Sequence, residues 1–373
     1  MDRHEPIDGL RAVAAIAVLL THVAIYSGLV AAGGDIARYA QRLEVGVAIF
    51  FVISGYVLYR PFIAARGRDF PAVARYARRR ALRIVPAYWL ALTVAAIALS
   101  LPGVLSLKGF FTYYAFGQIY STDTFTGGLV QAWTLCVEVT FYAFLPLWAW
   151  LWRRWSLRTE ALALVGLAAF SLAWKAAFIW SGSPDQVVLS PWLHSLPAYL
   201  DHFALGMGLA AFVAWRPLPR WTAWAGLAVA AVAFYVVSLR IGIGYELFEP
   251  YTRWQWLGRH VLYGVVGVAL VAAAVAAVPR RGLGWALANR PAVFLGTVSY
   301  GIYLWHVTVI VALERAGVLE RLTWHPFLTA AALALAITTL VAAASWYAWE
   351  RPLLRGRARW RPRAAPQATP PRA

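Results

Sequence analysis

The sequence predicts an all-α polytopic membrane protein with about ten transmembrane helices and both termini in the cytoplasm. Three observations lead there. Of 373 residues, 61% are hydrophobic and 13% charged, whereas soluble domains run about 45–50% apolar and ~25% charged. Ten apolar stretches can each cross a hydrocarbon layer of about 30 Å: 10–31, 44–60, 84–105, 132–152, 160–181, 199–216, 221–239, 257–279, 292–313 and 326–349. The connections between them also alternate in charge. The N-terminus, 60–83, 153–159 with the adjoining Glu160, 216–220, 280–290 and the tail from Glu350 hold 24 Arg (Arg11 set aside) against 6 acidic residues, and the opposite side holds 8 Lys/Arg against 9. That split is the positive-inside signature, which puts the basic side in the cytoplasm.

The net charge of +18 is thereby a matter of topology and of contact with anionic lipid, and a nucleic-acid partner is excluded. The single cysteine, Cys136, precludes an intramolecular disulfide framework. Residues 1–355 read as one transmembrane domain. Residues 356–373, Pro/Ala/Arg-rich without an apolar face, read as a disordered basic cytoplasmic tail. No internal repeat of the kind that marks transporters is visible.

The first span, "IDGLRAVAAIAVLLTHVAIYSGLV", has the look of a signal peptide. It offers only a weak small-residue cleavage site, and it is read as retained. Arg11 stands at its cytoplasmic mouth, and His22 lies about 16 Å deeper at ~1.5 Å per residue. Ionisable groups inside a membrane default to functional hypotheses. The fourth span carries Glu138 at a comparable depth. A carboxylate there must be neutral or paired, so a His22–Glu138 pair is expected, which is equally a structural solution and a general-base arrangement. The ninth span holds Tyr303 and His306 in "SYGIYLWH", at similar depth, as substrate-site candidates or as part of an aromatic belt. Asp201 and His202 stand at the outer lip of the sixth span, either interfacial or substrate-binding. Lys175 is expected to snorkel. No metal ligand set is apparent.

A second cluster, "RYARRRALRIVPAYW", is cytoplasmic. Arg79 and Arg83 share a helical face, flanked by Arg78 and Arg80. The cluster suits either the membrane surface or a phosphate clamp, for which the planar guanidinium is apt.

These residues carry a resemblance. The chain resembles the bacterial membrane-bound acyltransferase family 3, O-acyltransferases that modify envelope glycans and secreted glycosides. The likeness runs over nearly the whole chain in order: "DGLRAVAAIAVLLTH", "VAIFFVISGYVL", "RRALRIVPAYW", "WTLCVEVTFYAFLP", "SYGIYLWH" and "SWYAWERPL". Two departures are local: Cys136 stands where the family has Ser, and no Trp-Pro follows His306.

The resemblance implies an acyl-CoA donor, acetyl-CoA above all, met from the cytoplasm. It implies a carbohydrate, glycolipid or glycoside hydroxyl as acceptor, reached from the other side of a bacterial cytoplasmic membrane. By position, His22 matches the essential histidine, Arg11 its partner, and Arg79, Arg80 and Arg83 the donor-handling arginines. Glu138 matches the acid of Trp-x-x-x-Val-Glu. Whether His22 serves as general base or as transient acyl carrier stays open. No appended hydrolase-like domain is visible, so the membrane unit is expected to act alone or with a separate partner. The rival from another class is a proton-coupled transporter or lipid flippase with His22 and Glu138 as its relay.

Overall fold

A computed structural model describes residues 4–182, 190–241, 252–278 and 281–355; the tail 356–373 lies outside the described residues. Among the described residues, ten helices are long and apolar enough to span a membrane. They are α1 (Glu5–Tyr26), α2 (Asp35–Ala64), α3 (Val73–Ala98), α4 (Val130–Trp152), α5 (Leu157–Ser181), α6 (Leu196–Trp215), α7 (Thr222–Arg240), α8 (Arg253–Ala276), α9 (Arg290–Arg315) and α10 (Pro326–Leu354). No strand occurs among the described residues. Helix is what hydrocarbon requires, because it satisfies every backbone group within its own segment.

The helices match the ten apolar stretches one for one, with several boundaries displaced and the two largest shifts at the starts of the second and third. The second is approached by a polar helix, Asp35–Arg42, and a 3₁₀ turn, Leu43–Val45, before its apolar run begins. The third starts at Val73 rather than 84, so the arginine cluster lies on the helix itself. Hydropathy locates an apolar run, but it does not say how far the helix continues into polar residues.

α1 packs along α9 and crosses α2; α2 packs along α6, and α7 along α8. α1, α6 and α9 are the most enclosed spans, while α5 and α10 lie at the rim. Small residues allow the close approaches, as expected where lipid offers no hydrophobic drive between helices. Gly55 of α2 faces the Phe203 carbonyl of α6, and Gly206 of α6 faces the Val52 carbonyl in return. Phe141 and Phe203 stack at 3.9 Å beside this contact. Gly296 of α9 lies against the Asp8 backbone at the start of α1.

Two charged residues behave differently from the sequence expectation. Lys175 does not snorkel; it is 5% exposed, because its helix turns that face toward α6 rather than lipid. Glu160, counted with the cytoplasmic acids, is fully buried. It is ion-paired to Arg66, accepts from Tyr59 Oη and accepts from Trp148 Nε1 at 3.1 Å.

A side chain at Gly206 would drive into the Val52 carbonyl. Gly206→Leu is therefore expected to cost at least about 1–3 kcal/mol, as overpacking does, and to lower the thermal midpoint of the detergent-solubilised protein. An unchanged midpoint would show that α2 and α6 are not in this contact.

Candidate active site

α1 carries His22 to the middle of the bundle, and α9 brings His306 beside it. The two rings meet edge-on, 4.8 Å between centroids and 68° between planes. His306 is fully buried. Its Nδ1 faces two carbonyls, Tyr303 O at 2.8 Å and Ile302 O at 3.2 Å, so Nδ1 carries the hydrogen and Nε2 is a lone pair. That Nε2 lies 3.3 Å from His22 Nδ1, which also faces Val18 O at 2.9 Å. Two acceptors on His22 Nδ1 place its hydrogen there. His22 Nε2 is consequently the unprotonated nitrogen, and no described residue hydrogen-bonds to it.

His22 lines a wide chamber of about 300 Å³, at the lower end of the ~300–1,000 Å³ usual for ligand pockets. Its walls come from α1, α2, α4, α5, α6, α8, α9 and the connections before α4 and α6. Glu44, from the 3₁₀ turn of α2, lies in the wall. Arg259 Nη1 donates to Glu44 Oε1 at 3.0 Å, Tyr263 Oη donates to the same oxygen at 2.9 Å, and Arg42 stands 3.6 Å away. Trp133, Tyr199 and Trp256 add an aromatic wall. His194, in the connection before α6, sits against Phe125 and Trp133. Burial pushes the His194 imidazole down to about 4, so it is neutral near pH 7.

A narrow chamber of about 40 Å³ lies on the Arg11 side, lined by Arg11, Ser54, Glu138, Ser299 and Tyr300. Val47 and Tyr303 line both chambers. Tyr303 is fixed as the partition: its Oη donates to Gln131 O at 2.9 Å and meets Thr134 Oγ1 at 2.7 Å. With Trp305 also buried, the aromatic-belt reading of this stretch fails.

The expected His22–Glu138 pair is not formed. Glu138 Oε1 accepts from Ser54 Oγ at 2.6 Å and has Tyr76 and Tyr142 as electrostatic neighbours, both of which also feel Arg80. Equal depth was legible from residue counting. Rotation about the helix axes was not, and it turns Glu138 to the narrow chamber and His22 to the wide one.

The arginine face is also corrected. Arg79 is exposed, whereas Arg80 and Arg83 are partly buried. The buried stripe Ile84, Ala87, Tyr88 and Ala91, traced back one turn, falls on 80 and 83. Arg83 stacks 5.0 Å over Trp346 and has Arg11, Glu350 and Arg80 among its charged neighbours. Arg11 Nε has no hydrogen-bond partner.

Asp201 and His202 are not at a lip; they are 5% and 2% exposed. Asp201 Oδ1 accepts from Ser171 at 3.1 Å, and His260 Nε2–H donates to Oδ2 at 2.7 Å. His202 Nε2–H donates to His260 O at 3.1 Å, and the two rings stack at 4.2 Å and 14°. The donor atoms of Asp201, His202 and His260 lie within 4.8 Å of one another. Parallel stacked rings do not converge their lone pairs on one point, and both Nε2–H groups already have acceptors. The trio fits a hydrogen-bonded network better than a tetrahedral metal. His260, Glu44, Arg259 and Tyr263 escaped sequence reasoning, although a histidine in "RHVLYG", inside an apolar span, was signal enough for the first.

The Acyltransferase domain family matches residues 5–346. The chain belongs to acyltransferase family 3. The acyltransferase is 30% identical over 323 residues to "Exopolysaccharide production protein ExoZ" of Rhizobium meliloti, covering 84% of this chain and 90% of that protein. It is 27% identical over 371 residues to "Peptidoglycan O-acetyltransferase OatA" of Listeria monocytogenes, covering 93% of this chain but 55% of that protein. With "Acyltransferase MdmB" of Streptomyces mycarofaciens it shares 26% over 323 residues, 81% of this chain and 78% of that one. It thus spans about half the length of the peptidoglycan enzyme. No solved structure matches the chain significantly.

Replacing Asp201 with Asn, which can present its NH₂ to His260 Nε2–H, is expected to cost about 1–3 kcal/mol of stability by stranding a buried polar group. Thermal unfolding checks this; full retention of the midpoint would mean that the Asp201–His260 contact carries no weight.

Proposed function

We propose that this acyltransferase moves an acyl group, acetyl in the simplest case, from a cytoplasmic acyl-CoA to a hydroxyl of a carbohydrate, glycolipid or glycoside. The observation that carries the reading is the unprotonated Nε2 of His22, held at the wall of the wide chamber while Nδ1 is tied to Val18 O and faces His306. The names of the relatives, exopolysaccharide production and peptidoglycan O-acetylation, support a glycan acceptor. The positive-inside split supports a bacterial cytoplasmic membrane with both termini inside. On this reading 1–355 is the catalytic domain and 356–373 a basic tail.

The CoA phosphates meet Arg80 and Arg83, with Arg11 behind them; Arg79 is left to the surface. The narrow chamber suits a linear thioester arm better than a sugar ring, and it ends at Tyr303, beside the wide chamber. There His22 Nε2 takes the proton from the acceptor hydroxyl. The oxygen attacks the thioester carbonyl, the C–S bond breaks, and CoA leaves as a thiolate that regains a proton. The ester and free CoA are the products, and the helices around the path keep water from the thioester. Glu138, by its place in the narrow chamber, orients the donor rather than the histidine. His306 acts through His22, holding its tautomer and ring plane.

General-base contributions run about 10²–10⁴-fold, so His22→Ala in nanodiscs with labelled acetyl-CoA and envelope saccharides is expected to lose transfer by at least about a hundredfold. Transfer at the parental rate sinks this chemistry. Arg80→Gln and Arg83→Gln are each expected to weaken CoA binding by about tenfold or more, as loss of a charge-assisted contact does, and Arg79→Gln much less. Equal effects from all three in calorimetry would return the cluster to a topology signal.

A further inference from the structure

The wide chamber contains a cation that nothing already described uses. Lys175 is 5% exposed and lines the chamber. Its ammonium sits 4.0 Å over the Tyr199 ring, and among the described residues it forms neither a hydrogen bond nor an ion pair. Burying an ammonium without a counter-charge is costly, and a single ring face returns only about 0.5–2 kcal/mol. The nearby carboxylates relieve it only from a distance, without an ion pair. Asp201 is within electrostatic reach, but its oxygens serve Ser171 and His260. Glu44 is held by Arg259, Tyr263 and Arg42. His194 is neutral and adds no charge. With Lys175, Arg259 and Arg42 set against Glu44 and Asp201, the surroundings of the chamber carry one positive charge in excess, beside an aromatic surface and across a space that also contains the basic nitrogen of His22.

We propose that the wide chamber selects an acceptor sugar bearing a carboxylate, which Lys175 receives while the ring lies against the aromatic wall and a hydroxyl reaches His22. The inference rests on the acyl-transfer reading of the same chamber and names its acceptor class. Trp133, Tyr199 and Trp256 offer flat faces to the C–H side of a pyranose. A lone ammonium, with one side given to Tyr199, matches a monoanion. A phosphate dianion calls for several donors or the guanidinium fork, and the guanidinium in this wall, Arg259, is engaged with Glu44. Uronic acids and sugars with an acidic ether substituent share the required chemistry.

The test uses the full chain in nanodiscs with acetyl-CoA and three tetrasaccharides: one containing glucuronic acid, its neutral glucose counterpart and a phosphorylated counterpart. The parental protein is expected to favour the uronate over the neutral chain by at least about tenfold in kcat/KM, the scale of a desolvated charge contact. That ratio should fall close to one in Lys175→Met and persist in Lys175→Arg. Calorimetric binding of the saccharides, with the thermal midpoint of each variant, guards against a folding defect. Equal use of neutral and anionic chains by the parental protein overturns the inference, as does a preference that survives Lys175→Met. Preference for the phosphorylated chain overturns the carboxylate assignment. If no saccharide binds while acetyl-CoA still does, the carbohydrate reading itself falls, and the inference with it.

Discussion

A polar side chain buried among these ten helices has no water to turn to, and that constraint shapes the whole bundle. Each such group must find its partner on another helix or face a cavity. Glu160 does the first, gathering Arg66, Tyr59 and Trp148. Glu44 does so too, drawing Arg259 and Tyr263 of α8 toward α2. Asp201 ties α6 to α5 through Ser171 and to α8 through His260. These closed networks set helix rotation, because a turned helix would strand a charge.

The groups left open have a different character. His22 Nε2, the Lys175 ammonium and the Arg11 guanidinium all border cavities rather than partners. In a bilayer such openness is tolerated only beside polar space, so it marks where a ligand or water must come. The two chambers meet at Tyr303, whose hydroxyl is anchored to Gln131 and Thr134. On the proposed reading, this fixed partition separates a narrow donor side from a broad acceptor side. The small-residue contacts Gly55–Phe203 and Gly206–Val52 hold α2 and α6 close enough to make it.

The legible part of the site was the part that is local in the chain. Arg11 and His22 stand on one helix, and their separation along it follows from rise per residue. The ten spans and their order follow from hydropathy averaged over about 19 residues, which neighbours in space do not alter. The pairing of His22 was not legible: Glu138 and His306 lie at similar depth, and only interhelical rotation chooses between them. The same holds for Arg79 against Arg80, where a step of ~100° separates exposed from inward-facing. His260 and Glu44 were passed over because their meaning depends on Asp201 and Arg259, which lie far away in the chain.

By itself, then, the sequence determined an all-helical membrane protein of ten spans, its family likeness, and the histidine and arginine of its first helix. Periodicity, length and composition are properties of each segment alone. The tertiary structure decided that His22 is oriented by His306, that Arg80 and Arg83 face inward, and that Lys175 is buried without a carboxylate partner. Those are outcomes of rotation and depth between helices, which packing and charge satisfaction set together over the whole bundle.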